Sequence, residues 1–140
     1  MERILRTVLI VTAAIAAACA TRERTLVLLS TNDMHAKIQH FPRLAAAVEA
    51  CRDTAQLVVL VDAGDRWTGN AYVDRAATPG MPMIALMNRL GYDVATLGNH
   101  EFDHGQAFLG RMIDSMDFEV VCANVAVSYT HLTLPTTPYV

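Results

Sequence analysis

The chain lacks any pairing of cysteines that would build a thiolate centre. Its three cysteines, Cys19, Cys51 and Cys122, stand far apart with no Cys-x-x-Cys among them. That excludes a thiolate zinc site and a thioredoxin-like redox motif. A basic cluster is also missing, as is an acidic tail, and the formal net charge is −3. Proteins that grip a nucleic-acid polymer do so through clustered cations on its phosphates, so no nucleic-acid polymer is expected as a partner. No internal repeat is present, which sets aside solenoids and propellers. No apolar run reaches the roughly 20 residues that a bilayer-crossing helix needs.

What the N-terminus does carry is a shorter apolar run. Arg3 and Arg6 precede it, it extends from Thr7 to Ala18, and Cys19 follows. About twelve residues suits the core of a secretory signal. The polar stretch Thr21 to Arg24 argues against a buried N-terminal helix. Ala16-Ala17-Ala18-Cys19 reads in two ways. Small residues fit an ordinary signal-peptidase cut; directly before Cys they also resemble a bacterial lipobox, with Ala16 where Leu is usual. Residues 1–19 are therefore expected to be a signal peptide, with Cys19 a candidate lipid anchor. The mature protein would be exported, as a periplasmic protein or a membrane-anchored bacterial lipoprotein. In an oxidising compartment Cys51 and Cys122 could pair; buried thiols, one on a helix face and one on a core strand, are the simpler state.

Beyond the leader, apolar runs of strand length alternate with helical patterns. Thr25 to Leu29, Leu57 to Val61, Val94 to Leu97 and Phe118 to Cys122 read as strands. Leu44, Val48 and Cys51 recur at helical spacing behind Pro42, which suits a first helical turn. Met83, Ile84, Met87 and Leu90 mark a second helix stopped by Gly91, and Phe108, Leu109, Met112, Ile113 and Met116 a third. The Met and Phe stripes belong to the core. Arg66 to Gly80 has no period and reads as a long loop, a length often associated with function. The succession predicts an α/β fold of βαβ units, a parallel sheet with right-handed crossovers. Continuous apolar strands predict burial on both sheet faces.

Three polar strings end three of these runs: Thr31 to His35, Asp62 to Asp65, and Gly98 to Asp103. Open α/β sheets place their sites at such strand ends, and Asp, His and Asn are donors for divalent metals. On an extended segment Asp33 and His35, two apart, would face the same side and grip one ion. Asp65 offers two oxygens, able to bridge two ions held about 3.5–4 Å apart; capping or turn formation is the plainer role for it and for Asp62. At a helix start, His100 and Asp103 share a face, so Asp103 can fix the His100 tautomer. Asn99 adds a neutral oxygen. Glu101 reads as a first-turn residue pointing elsewhere, and His104 as a surface histidine.

In this order and spacing, Asp33-x-His35, Gly64-Asp65 and Gly98-Asn99-His100-Glu101 resemble the calcineurin-like metallophosphatases. The longer strings, Asp62 to Asp65 and Gly98 to Asp103, resemble the secreted 5′-nucleotidase branch, with its UDP-sugar hydrolases and cyclic-nucleotide phosphodiesterases. The resemblance covers Leu26 to Val125. It implies the first half of a four-layer α/β/β/α sandwich and a cofactor of two divalent ions, zinc, manganese or similar. It also implies a small-molecule nucleotide substrate. Asp33 and His35 would bind the first ion, Asp65 would bridge, and Asn99 would bind the second. His100, oriented by Asp103, would be catalytic, stabilising developing charge or protonating the leaving oxygen. The reaction implied is in-line attack on phosphorus by hydroxide activated by the ions.

The family completes its site with later histidines, but after His104 only His131 remains, in no matching motif. Residues 25–126 are thus expected to be the N-terminal part of a metallophosphatase domain, inactive alone. Composition changes after Val125, and Ser128 to Thr136 resembles a translated transposon-end sequencing adaptor, so 127–140 is expected to be a non-native tail. Two alternatives remain. One is a related exported hydrolase, thiosulfohydrolase-like or acting on nucleotide sugars. The other is a non-catalytic binding module that keeps the scaffold.

Overall fold

A computed structural model of the chain describes residues 24–123. The expected signal peptide with Cys19 and the expected tail with His131 lie outside the described residues, as do residues 124–126 of the expected domain.

Four strands, β1 (Leu26–Thr31), β2 (Leu57–Asp62), β3 (Val94–Ala95) and β4 (Glu119–Val120), form one parallel sheet in the order β1-β2-β3-β4. Leu26 pairs with Leu57 and Thr31 with Asp62. Asp62 pairs with Ala95, and Ala95 with Val120. The α/β parallel architecture expected from the sequence is the one observed. Between strands lie α1 (Phe41–Thr54), α2 (Ala71–Asp74), α3 (Met81–Leu90) and α4 (Gln106–Ile113). Pro42 occupies the first turn of α1, where its missing N–H costs nothing. Gly91 ends α3 in the left-handed conformation that glycine adopts freely. Arg52 of α1 donates to the Leu90 and Gly91 carbonyls at 2.9 and 3.0 Å, satisfying the end of α3 and tying two helices together.

The strand order explains a difference from the sequence reading. Each crossover moves to the next strand in the same direction. Right-handed crossovers that never reverse direction put all their connections on one sheet face. On that face Leu60, Ala95 and Val120 are buried with Val48, Met87 and Leu109. On the opposite face Leu26, Leu28 and Leu57 are 57–64% exposed, and Val59 and Val61 are half-buried. Among the described residues, the expectation of burial on both faces is met on one: apolar residues occupy both faces of β1 and β2, and helices cover one. The third and fourth apolar runs pair over only two residues each, because the chain turns away to form the loops of the site. The expected loop from Arg66 to Gly80 holds one helical turn, α2, whose start is capped by the Asn70 side chain on the Tyr72 N–H at 3.0 Å. That segment also buries Arg66, Trp67 and Val73. Cys51 is half-buried on α1 and Cys122 buried.

The two faces should differ in what they contribute to stability. Met87→Ala should destabilise the chain by roughly 2–4 kcal/mol, the cost of a core cavity. Leu57→Ala should cost under about 1 kcal/mol, since it removes little buried area. Urea denaturation of both variants measures the contrast.

Candidate functional site

The loop after β1 is not extended. Asp33, His35 and Ala36 have φ of 48°, 44° and 54°, a left-handed backbone that is uncommon for residues other than glycine. The premise that Asp33 and His35 align through strand geometry is corrected. Hydrogen bonds to the neighbouring loop hold the turn instead: Asp33 N–H to Gly64 O at 3.1 Å, His35 N–H to Asp65 O at 3.0 Å, and Ala36 N–H to Arg66 O at 2.8 Å. The turn still brings Asp33 Oδ1 to 3.6 Å from His35 Nε2. The other Asp33 oxygen accepts from the Asn32 amide at 2.7 Å.

The loop after β2 carries two aspartates with different surroundings. Asp62 is buried and accepts from Arg66 Nε at 2.8 Å, Thr31 Oγ1 at 2.8 Å and the Gly64 N–H at 3.2 Å. Burial pushes its carboxyl above the ordinary 3.8, against the pull of Arg66. It is a buried partner of Arg66 as well as a turn former. Asp65 is half-buried and left-handed, with φ 55°. Gly64 lies against Gly98: a Cβ on Gly64 would strike the Gly98 backbone, and one on Gly98 would strike the Asp65 carboxylate. Only glycine at both positions lets the two loops touch.

The third string forms a 3₁₀ turn, His100–Phe102, with exposed Asn99 at its head. The His100 N–H donates to Asp65 Oδ1 at 2.9 Å. As expected, Asp103 meets the His100 ring, with its Oδ2 2.9 Å from Nδ1. The hydrogen bond to Asp103 raises the His100 pKa above 6.5, and the same bond holds Asp103 below 3.8. The pair therefore contributes fully between those two ordinary values. It weakens as pH rises through the raised His100 value or falls through the lowered Asp103 value. His104 is exposed, its ring 4.9 Å from that of Phe108.

Ligand atoms of His35, Asp65 and His100 lie within 4.8 Å of one another, and the two histidine rings meet edge to face at 5.0 Å. Bonds of about 2.1 Å to one ion cap the separation of two donors at about 4.2 Å. The Asp33–His35 separation already falls inside that span, and the His35–Asp65 pair needs only a small contraction. Imidazole and carboxylate donors suit zinc, manganese or iron. The residues therefore fit a divalent metal. Of the candidates from sequence, the structure gathers His35, Asp65 and His100, keeps Asp33 beside His35, and leaves Asn99 exposed.

Glu101 was expected to point elsewhere. It is fully buried instead, and it accepts the backbone N–H groups of Asp65, Arg66 and Gly98 at 2.8, 3.0 and 2.6 Å. One signal for this was available in the sequence. An acid three residues after the start of a turn can reach back to the first N–H, as in a capping box, and Glu101 stands three after Gly98. Arg66 offered no comparable signal.

The profile of the calcineurin-like phosphoesterase family matches residues 26–132. The chain belongs to this family. Among curated calcineurin-like phosphoesterase relatives, the trifunctional nucleotide phosphoesterase protein YfkN of Bacillus subtilis is 32% identical over 118 residues, 74% of this chain and 8% of that protein. The 2′,3′-cyclic-nucleotide 2′-phosphodiesterase/3′-nucleotidase of Haemophilus influenzae is 37% identical over 96 residues, 64% of this chain and 15% of that protein. Among solved structures, a 5′-nucleotidase precursor from Thermus thermophilus superposes with a TM-score of 0.66 at 32% identity, covering 74% of this chain and 23% of that one. The chain spans 8% to 22% of the length of the curated relatives it matches.

Asp103→Asn removes the charged partner of His100, so the imidazolium loses its stabilisation. The His100 pKa should fall toward 6.5, its ordinary value. NMR titration of the ring in chelator-treated protein reads the change, and an unshifted value would contradict the pairing.

Proposed function

We propose that the protein containing this chain is an exported, two-metal phosphoesterase that hydrolyses small nucleotide phosphate esters, 5′-nucleotidase-like in its chemistry. The observation that carries the reading is the convergence of His35, Asp65 and His100 at the carboxyl ends of successive parallel strands, with Asp103 on the His100 ring. The nucleotide substrates named for the relatives in B. subtilis and H. influenzae support the substrate class. The leader before Cys19 supports export, with Cys19 as lipid anchor an option.

In this reading Asp33, His35, Asp65 and Asn99 would hold the ions, Asp65 as the carboxylate shared between them and Asn99 through its neutral amide oxygen. Bound ions supply Lewis-acid charge and lower the pKa of water. The protein's own groups do the rest. Asp103 occupies His100 Nδ1 and fixes the tautomer, which leaves Nε2 as the ring atom available to the phosphoryl group. The raised His100 pKa keeps the ring protonated to higher pH, so it can stabilise charge on oxygen or give a proton to the leaving group. The left-handed turns at His35 and Asp65 set the direction of these donors. The family's later histidine ligands have no counterpart among the described residues, so residues 25–126 alone are proposed to be inactive.

Protein expressed from the complete reading frame should release phosphate from AMP or UMP when Mn²⁺ or Zn²⁺ is added, and chelation should abolish the release. His100→Ala should lower kcat by about 10²–10⁴-fold, the usual contribution of a positioned acid. Absence of release from every nucleotide and nucleotide sugar tested would remove this reading.

A further inference from the structure

We propose that Glu101 is the positioning residue of the metal site. Its carboxylate fixes where Asp65 stands by binding the backbone around it, without itself reaching the site's open side. The proposal rests on the metal reading above.

Three observations lead to it. First, one carboxylate collects three N–H donors from two loops. Its Oε2 accepts from Asp65 at 2.8 Å and Gly98 at 2.6 Å, and its Oε1 accepts from Arg66 at 3.0 Å. Charge-assisted bonds of this kind are about twice as strong as neutral ones. Second, the donors of Asp65 and Arg66 are successive. Successive N–H groups flanking a left-handed residue form a concavity that takes an anion, and Asp65 is left-handed at φ 55°. Glu101 is the anion of that concavity, so it stabilises the turn that aims the Asp65 side chain. Third, the residue next to Glu101 grips that side chain directly: the His100 N–H donates to Asp65 Oδ1 at 2.9 Å. Backbone and carboxylate of Asp65 are both held by one two-residue segment.

The charge of Glu101 is balanced inside the protein. Arg66, with no exposed surface, stands with its Nε 4.0 Å from Glu101 Oε1 and 2.8 Å from Asp62 Oδ2. Its Nη2 donates to the Thr96 carbonyl, and its Nη1 is buried without a hydrogen-bond partner among the described residues. A neutral amide at position 101 would keep the shape of Glu but would present an NH₂ group to an N–H donor, and it would leave Arg66 with one buried countercharge fewer.

Charge and shape can be separated. Glu101→Gln keeps the shape and loses the anion, whereas Glu101→Asp keeps the anion and loses a methylene. A positioning role through the anion predicts that Gln weakens Mn²⁺ binding by about 10–100-fold, the range for residues that orient metal ligands, while Asp stays within about threefold of wild type. A packing role predicts the reverse order. Mn²⁺ affinity is read by electron paramagnetic resonance on protein from the complete reading frame, counted per folded molecule from circular dichroism of the same samples. Met87→Ala, a core truncation in the second half of α3, should lower thermal stability yet bind Mn²⁺ as wild type does. Wild-type affinity in Glu101→Gln, or a loss in Glu101→Asp of tenfold or more, overturns the proposal. If Glu101→Gln does not fold, the Asp variant decides by the same limits. Wild-type protein that binds no Mn²⁺ would instead remove the metal reading itself.

Discussion

The loops after β2 and β3 touch backbone to backbone at Gly64 and Gly98, and the Glu101 carboxylate closes the gap between them by collecting N–H groups from both sides. The loop after β1 then leans on the loop after β2 through three further backbone bonds. The order of dependence is clear from these contacts. The third loop holds the second, the second holds the first, and the candidate donors of all three meet as a result. The cost of this arrangement is local. Four non-glycine residues, Asp33, His35, Ala36 and Asp65, sit in left-handed backbone. Such residues persist only where their surroundings over-determine them, at roughly 1–3 kcal/mol each.

The sheet supplies the platform. Parallel strands in an unreversed order bring every carboxyl end to one edge, so three loops from three strands are neighbours without any long-range threading. Among the described residues the same order puts the helices on one face, and on the other Leu26, Leu28 and Leu57 are exposed.

Much of this was legible in the chain. Met83, Met87 and Leu90 mark α3 by their period, and Gly91 stops it where the pattern says it should. The Leu57 to Asp62 strand is legible because it is apolar, short and bounded by Asp and Gly. The His100–Asp103 contact follows from spacing alone. What was not legible has physical causes. Burial of one face cannot be read from β1 and β2, because both of their faces are apolar; crossover direction decides it, and direction is not a local property. Glu101 looks like any first-turn acid until its neighbours are known to need N–H partners. Trp67 and Val73 are buried from a segment without period, because they pack from a loop and one short turn.

The backbone of Asp65 has a consequence for how this position can drift. Two filters act on it at once. At φ 55° only Gly, Asn and Asp are accommodated at little cost, and on the metal reading proposed above the position also offers oxygen to a cation, which excludes Gly. The intersection is Asp and Asn, separated by a single nucleotide change. One mutational step therefore leads away from Asp65 with both filters still met. It leaves the fold untouched and subtracts one negative charge from the mouth of the site. On that reading, weakening of the site has a path that selection for folding does not see.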